Sequence, residues 1–384
     1  MYKKFVGFVR SIYETNDFIP LHAPVFNGEE KKYLSNAIDS TFVSSVGNLV
    51  NEFEKSIITF TNSTCAIAFI NGTSALHVAL KIAGVTENTE VITQSLTFVG
   101  TCNAIKYCGS EPIFVDVDKS TLGLSPNSLK DFIDENCELR NDGFCWNKKT
   151  NKKIIACVPM HTFGFPTNCL KIKKICSEFN IQLIEDAAES LGSTHQNKHT
   201  GTFGEMGILS FNGNKIITTG SGGMILTNDS EKALKAKHLS TTAKLNHSWE
   251  FDHDQIGYNY RLPSINAALG LAQMKQLKKF VDFKRNLAKK YQVWGKENGL
   301  FFLSEPENTK SNYWLNTILA ENAKEKEFLI VNINKMNVMV RPAWKPMHTL
   351  RIYEHCQRSS LQNTEFLYDR IVNVPSSVSN MNHF

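Results

Sequence analysis

Between residues 65 and 230 the chain alternates short apolar runs with stretches of helical periodicity. The runs are CAIAFI (65–70), EVIT (90–93), PIFVDVD (112–118), IIACVPM (154–160), QLIEDAA (182–188), GILSF (207–211) and GMILTN (223–228). Several are apolar on consecutive positions instead of every second one, the pattern of strands covered on both faces of a mainly parallel sheet. The spacing predicts an α/β domain with helices on both sides of that sheet. After about residue 240 the texture changes. A long helical pattern runs from Pro263 to Trp294, with Ile265, Leu269, Leu277 and Val281 towards one face. Its opposite face is basic (KQLKK, KRNLAKK) and reads as a solvated surface. WLNTILA and VMVRPAW follow as strand candidates. At the other end, Phe5, Phe8, Val9 and Ile12 share a helical face in MYKKFVGFVRSIYETNDF, whose charges interrupt any signal-peptide core. The expected organisation is an amphipathic docking helix over 1–20, a large α/β domain over 21–240 and a smaller α+β domain over 241–384.

A length of 384 residues suits two lobes and a sizeable core. The balance of 42 basic against 37 acidic residues is mild and dispersed, which sets aside a nucleic-acid footprint and suits a small anionic substrate. Nine cysteines without a CxxC pair fit free thiols in a reducing cytosol better than a disulfide framework. With no HExxH or paired Cys/His spacing, no metal is expected. No run approaches the roughly 18 apolar residues of a membrane span. The expectation is a soluble cytoplasmic protein without a membrane partner.

Open α/β sheets bind ligands beyond the carboxyl ends of their strands, so the residues there matter most. Asp186 ends QLIED, where it is either a cap or a carboxylate in a drying crevice that wants a cationic partner. In NGTSALHVAL (71–80), Gly72, Thr73 and Ser74 open a helix and present backbone N–H groups, either to solvent or to an anion. Phe98, in TQSLTFVGT (93–101), is a core residue or a stacking face. Lys215, in SFNGNKIITTGSGGM (210–224), sits between an Asn-Gly-Asn turn and the glycines 220, 222 and 223. Held in a partly dry crevice, such a lysine becomes a nucleophilic amine.

Taken in order, several segments resemble one family. EDAAESLGS (185–193) precedes SFNGNKIITTGSGGM, with Lys215 standing 29 residues after Asp186. IPLHAPVFNGEEKKYL, FVSSVG, NGTSALHVAL, PMHTFGFP (159–166) and GYNYRLPSINAALG (257–270) extend the likeness over nearly the whole chain. Together they resemble the DegT/DnrJ/EryC1/StrS nucleotide-sugar aminotransferases, which use pyridoxal phosphate on the fold type I scaffold. The resemblance implies that Lys215 is the Schiff-base lysine and general acid/base, and that Asp186 keeps the pyridine nitrogen protonated. Phe98 would stack on the ring, while Gly72, Thr73, Ser74 and the Ser210 hydroxyl would hold the phosphate. Glu189 stands where many relatives carry Gln or His, facing the phenolic oxygen. Gln94 replaces a common proline and is expected to be structural. Asn259 is either a turn residue or a phosphate contact contributed across a homodimer with a shared active site.

The nucleotide sugar is expected at Ser44, Ser45 and Gly47, at Lys244 and His247, and at Arg341, Trp344 and His348. His161 either ties its own turn or touches substrate. NGNKIITT, HLSTTAK (238–244) and RPAWKPMHT (341–349) most resemble enzymes that aminate UDP-linked 2-acetamido-4-keto-2,6-dideoxyhexoses. Those enzymes take the amine from L-glutamate and serve the bacillosamine and legionaminic acid pathways of surface glycans. A 3-keto or dTDP-linked specificity, or a non-catalytic protein that keeps the fold, are the alternatives. Dehydratases of the family carry His in place of the lysine, and Lys215 argues against that role. Relatives also usually continue into a final helix past the segment VNVPSSVSNMNHF.

Overall fold

Seven strands, each grown from one of the apolar runs, share one sheet in the computed structural model, which describes residues 1–44 and 47–379. They are β1 (Cys65–Phe69), β2 (Thr89–Gln94), β3 (Glu111–Val115), β4 (Lys153–Val158), β5 (Gln182–Asp186), β6 (Met206–Ser210) and β7 (Gly223–Thr227). The order is β1-β7-β6-β5-β4-β2-β3, with β7 antiparallel to both neighbours and the other pairs parallel. A hairpin of residues 137–139 and 145–147 is appended along β4.

The consecutive apolar spelling has a direct cause. Ala66, Ala68, Leu209, Met224 and Leu226 enter one core, and Ile67, Phe69, Ile208 and Ile225 enter another on the opposite face. The first core is closed by helix α3 (Leu49–Thr61) and by the C-terminal elements; the second is closed by α4 (Gly72–Ile82), α5 (Val99–Tyr107) and α8 (Ser230–Ser240), while α6 (Pro126–Asn136) and α7 (Cys169–Glu178) cover a third core with Ile113, Val115, Ile154 and Cys157. A strand covered on both faces cannot spend alternate positions on polar groups.

At the N-terminus, α1 (Tyr2–Tyr13) buries Phe5, Val6 and Val9, and Phe8 stacks on Trp294 at 5.1 Å. The helical pattern expected from Pro263 to Trp294 is two helices, α9 (Ser264–Met274) and α10 (Leu277–Asn298). The break lies where the chain changes partners. Here α9 packs on α2 (Glu30–Asp39) and α3, and the Gln273 and Gln276 amides both donate to Glu30, at 2.6 and 2.9 Å. A three-stranded antiparallel sheet follows, ordered β8 (Asn316–Leu319), β10 (Ile371–Val374) and β9 (Arg341–Pro342). VMVRPAW therefore supplies only a two-residue edge strand. Among the described residues, no helix is long and apolar enough to cross a membrane.

One buried side chain sets the geometry at the end of β2. The Gln94 amide donates to the Leu96 and Leu122 carbonyls and to the Thr162 hydroxyl, while its oxygen accepts from the Leu124 and Met160 N–H groups. Three chain segments are thus tied to one strand end, which accounts for glutamine where proline could supply none of these bonds.

Candidate active site

The carboxyl ends of β5 and β6, the start of α4 and the loop after β6 meet around a cleft of about 790 Å³. Glycine makes the convergence possible. A methyl group on Gly223 would collide with the Asn71 carbonyl, and one on Gly72 would press on Ser210 at 3.2 Å. The start of α4 and the end of β6 can therefore share one spot.

Lys215 is held by a turn in which its N–H donates to the Asn212 carbonyl at 2.9 Å. Its side chain is largely buried, and Nζ lies 3.1 Å from Glu189 Oε1. On another side Nζ sits 4.1 Å from the centre of the Trp314 ring, a cation–π contact. Trp314 is fixed in turn by donating from Nε1 to the Asn214 carbonyl at 2.7 Å. The second oxygen of Glu189 accepts the Phe163 N–H at 2.9 Å. Burial pushes the Glu189 carboxyl up to about 7, with the Lys215 charge opposing the rise.

Asp186 is buried at the end of β5. Its Oδ2 accepts the Thr101 hydroxyl at 2.7 Å and its Oδ1 accepts the Ala188 N–H at 3.2 Å. Thr97 extends the chain to the Thr101 hydroxyl at 2.9 Å. Phe98 opens α5 with its ring half exposed, and Trp344 meets it edge-on at 6.1 Å. A side chain at Gly100 would reach the Phe98 ring and the Thr73 hydroxyl at 3.0 Å, so only glycine leaves that wall smooth.

At the start of α4, Gly72 and Thr73 line the cleft beside Ser210. Ser74 does not: it is buried, and its N–H is taken by the capping oxygen of Asn71 at 2.8 Å. The Ser74 N–H is thus already satisfied within the chain, and the phosphate role expected of it is corrected to a capping one.

The other expected contacts divide sharply. Trp344 lines the cleft. His161 does not reach it: the residue is fully buried, Nδ1 accepts the Thr167 N–H at 3.0 Å, and Nε2 bonds Glu185 at 3.0 Å. Nδ1 is spent on the turn after β4 and Nε2 on β5, so of the two roles expected for His161 the structure supports the structural one. His348 is likewise buried, its Nδ1 2.8 Å from the Ser95 hydroxyl, and burial lowers its pKa below the ordinary histidine value. Arg341 is exposed on β9, and Ser44, Gly47 and Asn259 are exposed away from the cleft lining. Lys244 rests over the Phe251 ring at 3.7 Å, and His247 packs on Trp249 and accepts the Glu250 N–H. Within one chain none of these lines the cleft; Ser45 lies outside the described residues.

Three contributors escaped the sequence reading. Asn71 carried a usable signal, an Asx residue just before a helix start. Thr101 lies four residues beyond Thr97, on the same side of the turn into α5, and only the fold aims it at Asp186. Trp314 stands 100 residues from Asn214 and gave no local signal.

The family model for DegT/DnrJ/EryC1/StrS aminotransferases matches residues 24–383. The chain belongs to this family. It is 37% identical over 368 residues to a GDP-perosamine synthase of Escherichia coli O157:H7, covering 94% of this chain and 95% of the relative. A GDP-perosamine synthase of Vibrio cholerae is 32% identical over 364 residues, covering 93% and 94%. Among solved structures, PseC of Helicobacter pylori, an aminotransferase involved in pseudoaminic acid biosynthesis, superposes with a TM-score of 0.84 at 25% identity, covering 94% of each chain. The fold is α/β and corresponds to fold type I, and these aminotransferases depend on pyridoxal phosphate. The cleft fits that cofactor: an amine, a buried carboxylate, an aromatic face and a glycine-lined helix start open onto one space. The relatives support the coarser statement, a nucleotide-sugar aminotransferase, and do not single out a UDP-linked sugar.

Proposed function

We propose that this aminotransferase moves an amino group from L-glutamate to the C4 ketone of a 4-keto-6-deoxyhexose carried on a nucleoside diphosphate. The observation that carries the reading is that the Lys215 amine and the Asp186 carboxylate open onto the same cleft as Gly72, Thr73 and Ser210. Pyridoxal phosphate, when bound, supplies the electron sink that lets one amino group be taken from a donor and given to a ketone. Asp186, steadied by Thr101 and Ala188, would hold the proton on the ring nitrogen. Gly72, Thr73 and Ser210 would hold the phosphate, the N-terminal end of α4 favouring its charge. Phe98 and Trp344 form apolar walls that keep water from the reacting carbon. Lys215 Nζ, drawn out of solvent between Glu189 and Trp314, is the group placed to take a proton from that carbon and return it.

For the nucleotide, the relatives named GDP-perosamine synthase favour a GDP-linked acceptor. The UDP-linked 2-acetamido sugar is the second reading, favoured by NGNKIITT, HLSTTAK and RPAWKPMHT. We place the enzyme in the cytoplasm, where nine free thiols stay reduced. We also take it as a homodimer in which the partner subunit's Asn259 completes each phosphate site. The test is an assay with L-glutamate and GDP-, UDP- and dTDP-linked 4-keto sugars, with NMR of the product amine. Turnover of the GDP sugar, abolished in Lys215→Ala, is expected. Full activity in Lys215→Ala, or no turnover of any nucleotide-linked keto sugar, ends the reading. Turnover of the UDP sugar alone moves the substrate to the second reading.

A further inference from the structure

At one edge of the main sheet, residues 355–359 run alongside β3. The Phe114 N–H donates to the Gln357 carbonyl and the Ser359 N–H to the Phe114 carbonyl, each at 2.9 Å. This pairing lays His355 and Cys356 over Glu111, 244 residues away from His355 in the sequence. Glu111 divides its two oxygens. Oε1 is bonded by the Lys106 ammonium. Oε2 lies 3.2 Å from His355 Nε2 and 3.6 Å from Cys356 Sγ, and those two atoms are 3.8 Å apart.

A tetrahedral zinc ion, with bonds of ~2.0 Å to oxygen and nitrogen and ~2.3 Å to sulfur, spans donor-to-donor edges of roughly 3.3 to 3.6 Å. The triangle of Glu111, His355 and Cys356 is already close to that size. We propose that these three side chains, none of which lines the active-site cleft, form a zinc-binding site. The donors are one thiolate, one imidazole and one carboxylate, a set that suits zinc or cobalt and disfavours magnesium and calcium. The His355 side chain is 59% exposed, so the fourth position opens to solvent and takes water. Cys356 is buried beneath it among Cys102, Phe114, Met347, Tyr353 and Leu361, which fixes the sulfur.

A second cluster shows why donor count alone is not enough. His161, Cys169 and Glu185 also bring three ligand atoms together. There, however, the Glu185 oxygens already accept the Gly201, Phe203 and Gly204 N–H groups besides His161. Three backbone N–H groups thus hold that carboxylate, and because His161 Nδ1 accepts the Thr167 N–H, the ring proton sits on Nε2 and leaves it no lone pair for an ion. At Glu111, by contrast, Oε2 faces, among the described residues, the two other candidate ligands and no backbone N–H group. An ion there would clip the segment after Trp344 to the sheet edge, closing a very long loop.

The experiment uses untagged, cofactor-loaded protein stripped with a chelator and then titrated with Zn²⁺ alone, and separately with Co²⁺ alone. One ion per chain is expected, with a raised Tm. Co²⁺ should give a sulfur-to-metal charge-transfer band that Cys356→Ser lacks and Cys65→Ser keeps. His355→Gln, at an exposed position that does not burden folding, should weaken zinc binding at least about tenfold and remove the Tm rise. Zinc uptake and Tm shift identical in wild type and His355→Gln overturn the site, as does the absence of stoichiometric uptake by the wild type.

Discussion

Glu189 sits in an environment at odds with its charge. Its side chain is 1% exposed, and burial carries its carboxyl from an ordinary 4.5 to about 7 in spite of Lys215. The folded protein therefore holds more protons than the unfolded chain between those values, and stability falls as pH rises through that window. The full cost, on the order of 3 kcal/mol, is present above about pH 7. In cofactor-free protein, Glu189→Gln should flatten the fall in unfolding free energy between pH 5 and pH 8; an unchanged slope would assign the dependence to other groups. Thr101 poses a different question, because its hydroxyl is the shorter of the two bonds that steady Asp186. Thr101→Val should cost about 1–2 kcal/mol of cofactor binding, roughly tenfold in Kd by equilibrium dialysis. Equal affinity would show that Ala188 alone suffices. At this scale Lys215, Asp186, Ser210 and Phe98 were legible because each ends or follows a strand. Thr101, Trp314 and the burial of His161 were not, since each depends on which segment lies across from it.

At the scale of elements, the strands were readable because two-sided burial forbids alternation, and the chain spells this out locally. The break between α9 and α10 was not, because the hydrophobic period runs on through it while the packing partner changes from α2 and α3 to the C-terminal core. Gln94 shows how an element end is fixed by a residue that neither propensity nor period marks. Gln94→Leu would leave the buried Leu124 and Met160 N–H groups unpaired, a loss of about 2–5 kcal/mol. Urea unfolding should register it as a lowered midpoint with an unchanged slope. A midpoint equal to wild type would mean that the turn at 160–162 rearranges to satisfy both groups.

For the whole molecule, the question is whether one chain makes a complete site. Among the described residues, the expected sugar-nucleotide contacts other than Trp344 lie off the cleft of a single chain, and Asn259 is exposed. If the partner subunit's Asn259 serves the phosphate, Lys215→Ala and Asn259→Ala are each inactive alone. Exchanging their subunits should then restore up to about a quarter of wild-type activity, since half the dimers are mixed and each holds one intact site. No recovery from a sample shown to contain mixed dimers would mean that each subunit works alone. The sequence by itself determined the α/β layering, the family and the pairing of Lys215 with Asp186 as the candidate site at the strand ends. These rest on burial patterns and strand-end motifs that lie within a few residues of one another. Only the tertiary structure decided what surrounds them: the Trp314 ring under Lys215, the raised Glu189 carboxyl, the inward His161 and the meeting of Glu111 with His355 and Cys356. Each of those depends on groups far apart in the chain, whose desolvation and pairing exist only once the sheet has brought them together.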